Sequence, residues 1–340
     1  MSFWSNTSAA PQWWHTLFPT KPGFIRTIPA ELPTLPPNLA IRRASISAAE
    51  PIAAFWNMYY CGTDLYMDVS VEWVAAYLRD PAVIVLYAHD PELNIKATIV
   101  SSPVSSTLVT MSHGGRIPLR CIEGLCVEDD TRGAGLAGTM IAAADFYTSQ
   151  TAPQAHIWCR ELPVDPGVFT TAASIKTYAY ITGVTAASRA VTTAERVDWS
   201  TFIQFWNPYR HTNAAYTVVA ETPLRRNSGL DVWNVELHGR VYTVVVLHTQ
   251  RRIRKTHQPI YEIIWSSHIH EDAYTAVSAQ YKNGVIFTTD ADPLWKGVGK
   301  GKGKGQGWVY GRSGVHATYM YNYLPPLFRN CEFIMIREEI

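Results

Sequence analysis

Long hydrophobic runs are absent from this 340-residue chain, and no apolar segment approaches the ~20 residues that a bilayer-spanning helix needs. Charge of one sign is lacking as well. Lys and Arg total 29 against 28 Asp and Glu, a formal net charge of +1, so there is no bulk attraction to nucleic acid or to an anionic membrane surface. Cysteine is sparse: Cys61, Cys121, Cys126, Cys159 and Cys331 are scattered, odd in number and without C-x-x-C spacing. That excludes a disulfide framework and a thiolate zinc site, and it points to a reducing compartment. The G-x-S-x-G elbow and the H-E-x-x-H helix are missing too. His268-Ile269-His270 offers two alternate imidazoles without a third ligand, which suits structural histidines. The N-terminus shows no basic start followed by an apolar run. The expectation is a soluble cytoplasmic protein, monomeric, with no metal and no specific nucleic-acid partner.

What is present favours a large folded core. Hydrophobic residues make up 47% of the chain, and the length suits two packed lobes better than one. Residues 1–37 carry Pro11, Pro19, Pro22, Pro29, Pro33, Pro36 and Pro37, which forbid long helices and imply an extended arm. Helical apolar spacing follows at Ala48 to Tyr60 and Val71 to Leu78, then strands at Ala82 to Tyr87 and Ile95 to Ser101. A strand ending at Val127 leads to a helix over Leu136 to Phe146. Residues 155–159 and 179–187 read as strands around a helix near Ala172 to Tyr178. Further on, strands at Leu230 to Leu237 and Arg240 to His248 flank a His238-Gly239 hairpin tip. A strand at Ile260 to Ser266, a helix at Glu271 to Tyr281 and a strand at Val285 to Thr289 complete an order that loosely repeats the first half.

Residues 122–141 are the most informative. An apolar strand, Ile122-Glu123-Gly124-Leu125-Cys126-Val127, passes through an acidic turn into Arg132-Gly133-Ala134-Gly135-Leu136-Ala137 and a helix. Glycines let backbone N–H groups approach an anion, Arg132 supplies a charged fork, and the helix start adds roughly +0.5 of a charge. A phosphate-bearing cofactor is one reading; a glycine turn that merely reverses the chain is the other. Gly124 inside an apolar strand favours the first, because glycine there marks a bulge or a close approach.

The spacing of Arg132, Gly135 and Ala137, R-x-x-G-x-A, resembles the acyl-CoA-binding motif of GNAT acyltransferases. Within that superfamily the segment is similar to the N-myristoyltransferase signature F-L-C-V-H-K-K-L-R-S-K-R-L-A, with Leu125, Cys126, Val127, Arg132, Leu136 and Ala137 matching in register. Tyr319-Met320-Tyr321-Asn322-Tyr323 resembles the family's Y-L-Y-N-W strand, and Gln12-Trp13-Trp14-His15-Thr16 its Q-F-W-D-T, which lies against the cofactor. The resemblance implies an α/β (α+β) fold of two GNAT-like lobes, each a mixed β-sheet flanked by helices. Residues 1–37 would be the arm, 38–192 the acyl-CoA-binding lobe and 193–340 the peptide- or acceptor-binding lobe. Ser2 stands where a chain that is itself myristoylated needs glycine.

The activity so implied is transfer of a long-chain acyl group from acyl-CoA, myristoyl-CoA foremost, to an amine such as a peptide N-terminus. Cofactor contacts would come from Trp13, Trp14, Leu125, Cys126, Val127, Arg132, Gly133, Ala134, Gly135, Leu136 and Ala137. The oxyanion hole maps to the backbone N–H groups of Gly124 and Leu125. The base maps to the terminal carboxylate of Ile340, with Glu123 the rival, since many GNAT acetyltransferases use a glutamate on this strand. On the acceptor side the family's Y-V-E-D-D-D loop corresponds to Tyr60-Cys61-Gly62-Thr63-Asp64, its G-D-G turn to Arg312-Ser313-Gly314, and its Y-L-Y strand brings Tyr321. Most of the family's carboxylates are missing there, which argues against a glycine peptide with a downstream lysine. Two other readings stay open: an acetyl-CoA-dependent acetyltransferase with Glu123 as base, and a catalytically inactive GNAT-fold binding or structural protein. The alternating Gly/Lys stretch at residues 297–307 lacks a P-loop's Lys-Ser/Thr pair and reads as a solvated insertion. The twelve tryptophans and eighteen tyrosines pack lobes or line an acyl channel, since no basic groove accompanies them.

Overall fold

Apolar residues at helical spacing make α1 (Ala49–Tyr59) and α2 (Val71–Arg79). Ser70 starts α2 by accepting the Trp73 N–H at 3.1 Å. The computed structural model describes residues 23–24, 31–60, 64–104, 119–161, 170–182, 194–198, 229–268, 270–281, 283–290, 308–321 and 323–324. The two helices bury Ile52, Phe55, Trp56, Val74 and Tyr77 against Val85, Val100 and Cys126 of the sheet. On the opposite face α3 (Leu136–Thr148) covers Leu86, Ile99 and Ile122 with Leu136, Met140 and Ile141. The sheet is therefore dry on both sides where the glycine turn leaves it.

The early strands are β1 (Gly23–Phe24), β2 (Ala40–Arg43), β3 (Leu65–Met67), β4 (Ile84–His89), β5 (Ile95–Val104), β6 (Leu119–Val127), β7 (Ala155–Glu161) and β8 (Thr170–Thr182). The later ones are β9 (Ala194–Val197), β10 (Leu230–Leu237), β11 (Arg240–Ile253), β12 (Pro259–Ser266), β13 (Val285–Asp290), β14 (Trp308–Tyr321) and β15 (Tyr323–Leu324), with α4 (Glu271–Ser278) between β12 and β13. Mixed sheets flanked by helices, as expected, are joined edge to edge in the order β2-β4-β5-β6-β7-β14-β8-β13-β12-β11-β10-β9, with β3 on β11. A separate pair, β1 with β15, ties the arm to the strand after β14. The arm's other residues before Leu32 lie almost wholly outside the described residues.

Each half contains one parallel pair with its crossover helix, β6-α3-β7 and β12-α4-β13. This is the loose repeat read in the sequence, now with matched pairing. The His238-Gly239 tip is a hairpin turn in which both residues have left-handed φ, 52° and 72°, the conformation that fits the strands' own twist.

One expectation fails. Ala172 to Tyr178 is not a helix; it is the middle of β8, paired with β14 from Thr170 opposite Met320 to Thr182 opposite Trp308. The alanines suggest helix, but Thr170, Thr171, Ile175, Thr177, Tyr178 and Tyr180 are strand formers, and the long ladder with β14, joined by β13 at Tyr178 to Ile181, keeps that choice. The strand expected at 179–187 therefore begins earlier, and residues 183–187 lie outside the described residues.

Among the described residues no helix is long and apolar enough to cross a membrane.

Candidate functional site

β6 and β7 pair for only three residues, Leu119 to Cys121 against Ala155 to Ile157. Beyond Cys121 the strands part: β6 runs on to Val127, and β7 runs on to Glu161 held along its other edge by β14. The result is an opening in the middle of a sheet, lined on one side by residues 122–127. On β6's other edge the ladder with β5 is irregular. Thr98 opposes Cys126 and Val100 opposes Glu123, so Gly124 and Leu125 together face the single residue Ile99. Gly124 has φ 55°, the left-handed conformation of a glycine bulge, which a side chain would strain.

The bulge is held from below. Thr98 Oγ1 donates to the Gly124 carbonyl at 3.0 Å, and Trp56 Nε1 donates to Thr98 Oγ1 at 2.7 Å. Both side chains are fully buried. Sequence reading missed this pair, which falls within the stretch of helical spacing at Ala48 to Tyr60 and the strand at Ile95 to Ser101 without being singled out. The available signal was a threonine inside the apolar run Ala97-Thr98-Ile99-Val100 of a central strand, where an unpaired hydroxyl is costly.

Past Val127 the chain turns through a 3-10 turn, Asp129–Thr131, to α3. Gly133 and Gly135 have φ 87° and 79°, and a β-carbon added at either would meet nothing within 4 Å. Their backbone thus faces open space. Gly138 and Thr139 N–H close onto the Gly135 carbonyl, which leaves the N–H groups of Leu136 and Ala137 without intrahelical acceptors. The Arg132 guanidinium braces the turn, with Nε donating to the Val127 carbonyl at 3.2 Å and Nη2 2.9 Å from Asp129 Oδ1. Behind it, Glu128 receives Lys96 Nζ at 2.9 Å and the Tyr59 hydroxyl at 3.3 Å. The hydrogen bond to Glu128 raises the Lys96 ammonium above its ordinary range.

The structure brings Glu123, Gly124, Leu125, Cys126, Val127 and Arg132 to Ala137 together along one edge. Glu123 is buried at 9% exposure. Its Val100 pairing puts it beside the bulge. Cys126 belongs to the core under α1 and α2, while Leu125 and Val127 pack toward α3. Tyr60 packs on the α1 core, and Asp64 is exposed at the entry to β3. The Asp64 carbonyl accepts the Arg254 N–H at 2.9 Å, and β3 lies against Arg251 to Ile253 of β11. Arg252 pairs with Asp68 there, so the ground around Asp64 mixes cations with carboxylates. Gly314 and Tyr321 lie on β14, which borders β7 and β8. Trp13, Trp14, Ile340 and residues 297–307 lie outside the described residues. Among the described residues no group of three or more His, Cys, Asp or Glu is placed to hold a metal ion.

A second polar cluster, not read from the sequence, knits the far half. Asp231 on β10 is buried and accepts from His248 Nε2 at 2.6 Å and the Tyr281 hydroxyl at 2.7 Å, with Arg196 against its other oxygen. Burial pushes the Asp231 carboxyl up, but the hydrogen bonds from His248 and Tyr281 and the neighbouring charges outweigh it and hold the group below the usual carboxylate range. A depressed folded-state pKa contributes stability that is present above about pH 4 and is lost as pH falls through the folded value. Urea midpoints measured from pH 7 to pH 2 are thus expected to fall less steeply for Asp231→Asn than for the wild type. Parallel curves would rule this contribution out.

Strand, bulge, glycine turn and helix, with the next parallel strand splayed away, are the architecture of an N-acyltransferase-like fold. No family model matches the chain, and no curated protein matches it in sequence. In structure it is similar to the N-myristoyltransferase of Saccharomyces cerevisiae. Crystal structures of that enzyme with bound myristoyl-CoA give a TM-score of 0.70 at 11% identity, over 95% of this chain and 88% of the yeast chain. Those with myristoyl-CoA and inhibitors give 0.67 at 13% identity, over 95% and 90%. The likeness spans nearly the whole chain and concerns the fold.

Proposed function

We propose that this protein is an acyl-CoA-dependent N-acyltransferase, moving a long-chain acyl group from myristoyl-CoA or a close relative to an amine such as a peptide N-terminus. The observation that carries the reading is the shared edge. The bulge at Gly124 and Leu125 and the open glycine cradle at Gly133 to Ala137 both border the gap left by β7. Backbone N–H groups at the cradle and the start of α3 suit a pyrophosphate. The Arg132–Asp129 pair is more than half exposed on both sides, so it is worth little and is readily exchanged for a phosphate. With the pyrophosphate there, the acyl thioester would run along β6 toward the bulge. An attacking amine adds to the thioester carbonyl, the oxyanion is met by the Gly124 and Leu125 N–H groups, and collapse expels the CoA thiolate. Glu123, on the same strand, would take the ammonium proton, with the terminal carboxylate of Ile340 as rival.

In this reading residues 38–192 form the acyl-CoA lobe and 193–340 the acceptor lobe. Tyr60, Asp64, Gly314 and Tyr321 would face the acceptor, and Trp13 and Trp14 would cover the cofactor. Arg251, Arg252 and Arg254 beside Asp64 favour an acceptor without a downstream lysine. The test is calorimetric titration of the protein with myristoyl-CoA and with acetyl-CoA. Tight binding of the long chain, weakened at least tenfold by Gly135→Glu, is the expected result. The extra methylenes are worth at most about 0.8 kcal/mol each, so a long-chain pocket would separate the two ligands clearly. Equal affinities would shift the reading to an acetyltransferase, and binding of neither would mean a protein that keeps the fold without the activity.

A further inference from the structure

The proposed activity asks for an N–H aimed at the thioester carbonyl, and the bulge alone does not say which way its peptide groups turn. The buried hydrogen bonds beneath it do. A trans peptide is planar, with its C=O and N–H pointing in opposite directions. The Gly124 carbonyl is drawn toward β5 by the Thr98 hydroxyl at 3.0 Å. The N–H of the same peptide group belongs to Leu125, so it is turned away from the Thr98 hydroxyl, and past Cys121 β6 has no paired strand on the side opposite β5.

Thr98 has one hydroxyl proton, and it is committed. Trp56 Nε1 donates to the oxygen at 2.7 Å, and indole N–H is a donor only. The Gly124 carbonyl only accepts, so the hydroxyl uses its own proton there. A threonine without Trp56 is free to rotate that proton elsewhere; with Trp56 in place the direction of the relay is set as Trp56 N–H to Thr98 O–H to Gly124 C=O.

We infer that Trp56 and Thr98 are positioning residues of the acyl-transfer site, a buried relay that locks the Gly124–Leu125 peptide and so aims the Leu125 N–H at the acyl carbonyl. This rests on the reading of the protein as an acyltransferase and adds two residues from outside the strand that carries the site. Neither touches the substrate. Their polarity is otherwise unexplained: both side chains are fully buried, and Trp56 lies within the apolar core under α1 and α2. The relay also explains why a buried threonine stands at the start of the one irregular step of the β5–β6 ladder, where the left-handed glycine faces Ile99.

The experiment follows the thioester carbonyl itself, by infrared difference spectra of myristoyl-CoA labelled with carbon-13 at that carbonyl, bound to the full chain. In the wild type the band is expected below its frequency in free myristoyl-CoA, because an N–H polarises the carbonyl. Thr98→Val, nearly isosteric, is expected to bind within about twofold of wild-type affinity, since the glycine cradle is untouched, with the band returned toward the free value. Turnover would fall by up to the roughly 10²- to 10³-fold that loss of one oxyanion donor costs. Thr98→Ser keeps the hydroxyl and is expected to keep the shifted band. Trp56→Phe, which removes only the indole N–H and some volume, provides a second route to the same loss if Thr98→Val does not fold. A wild-type band retained in Thr98→Val or Trp56→Phe would overturn the relay. A wild type that binds myristoyl-CoA with no band shift would overturn it too, while leaving the proposed function standing. A wild type that binds no acyl-CoA would remove the proposed function and this inference with it.

Discussion

Replacing Glu123 by glutamine is expected to lower turnover at least about a hundredfold while leaving acyl-CoA affinity within about twofold. The amine that attacks a thioester must lose a proton, and a positioned general base contributes roughly 10²- to 10⁴-fold. Glu123 is the carboxylate beside the bulge, buried at 9% exposure and paired with Val100 just where the ladder becomes irregular. Glutamine keeps the shape and hydrogen-bonding reach but cannot accept the proton, so the change falls on kcat and not on binding. The pH profile supplies the second readout: the fall in rate on the acid side, where a carboxylate base is protonated, disappears in the variant. Unchanged turnover would clear Glu123, and deletion of residues 337–340 would then test the Ile340 carboxylate.

Trp56→Ala is expected to cost about 3–5 kcal/mol of folding stability, the range for truncating a large aromatic in a core. The indole is 0% exposed and stacks edge-on with Trp73 at 6.2 Å within the α1–α2 core. Its loss opens a cavity and removes the donor that Thr98 accepts. Chemical denaturation gives the number directly, and a loss under about 1 kcal/mol would show that the helices collapse into the space and that the core is looser than its burial implies.

The parts of the fold carried by local pattern were legible. α1, α2, β4, β5, β6 and β10 to β13 follow from period 3.6 or period 2, and the glycine turn before α3 from its own residues. β8 was not legible, because its strand state is set by the ladder with β14 along its length, joined by β13 at Tyr178 to Ile181, and not by its alanines. The proposed site was legible only along one strand and the turn that follows it. Glu123 to Val127 and Arg132 to Ala137 are consecutive, so a motif can hold them. Trp56, Thr98 and Gly124 come from three separate elements and meet only through tertiary packing. The Asp231 cluster escaped for the same reason: Arg196, Asp231, His248 and Tyr281 are joined by hydrogen bonds across three strands and a helix end. No spacing along the chain encodes such a meeting.

The place of β14 bears on how the protein is made. β7 and β8 leave the ribosome well before residues 308–321, yet β14 lies between them and bonds to both. Throughout synthesis, β7 and β8 therefore expose strand edges that no earlier segment among the described residues covers, and such edges invite foreign pairing. A stop codon just upstream of Trp308 would not yield a slightly shorter version of the same fold. It would split the sheet at its centre and leave two open edges, a product for the cell's quality control.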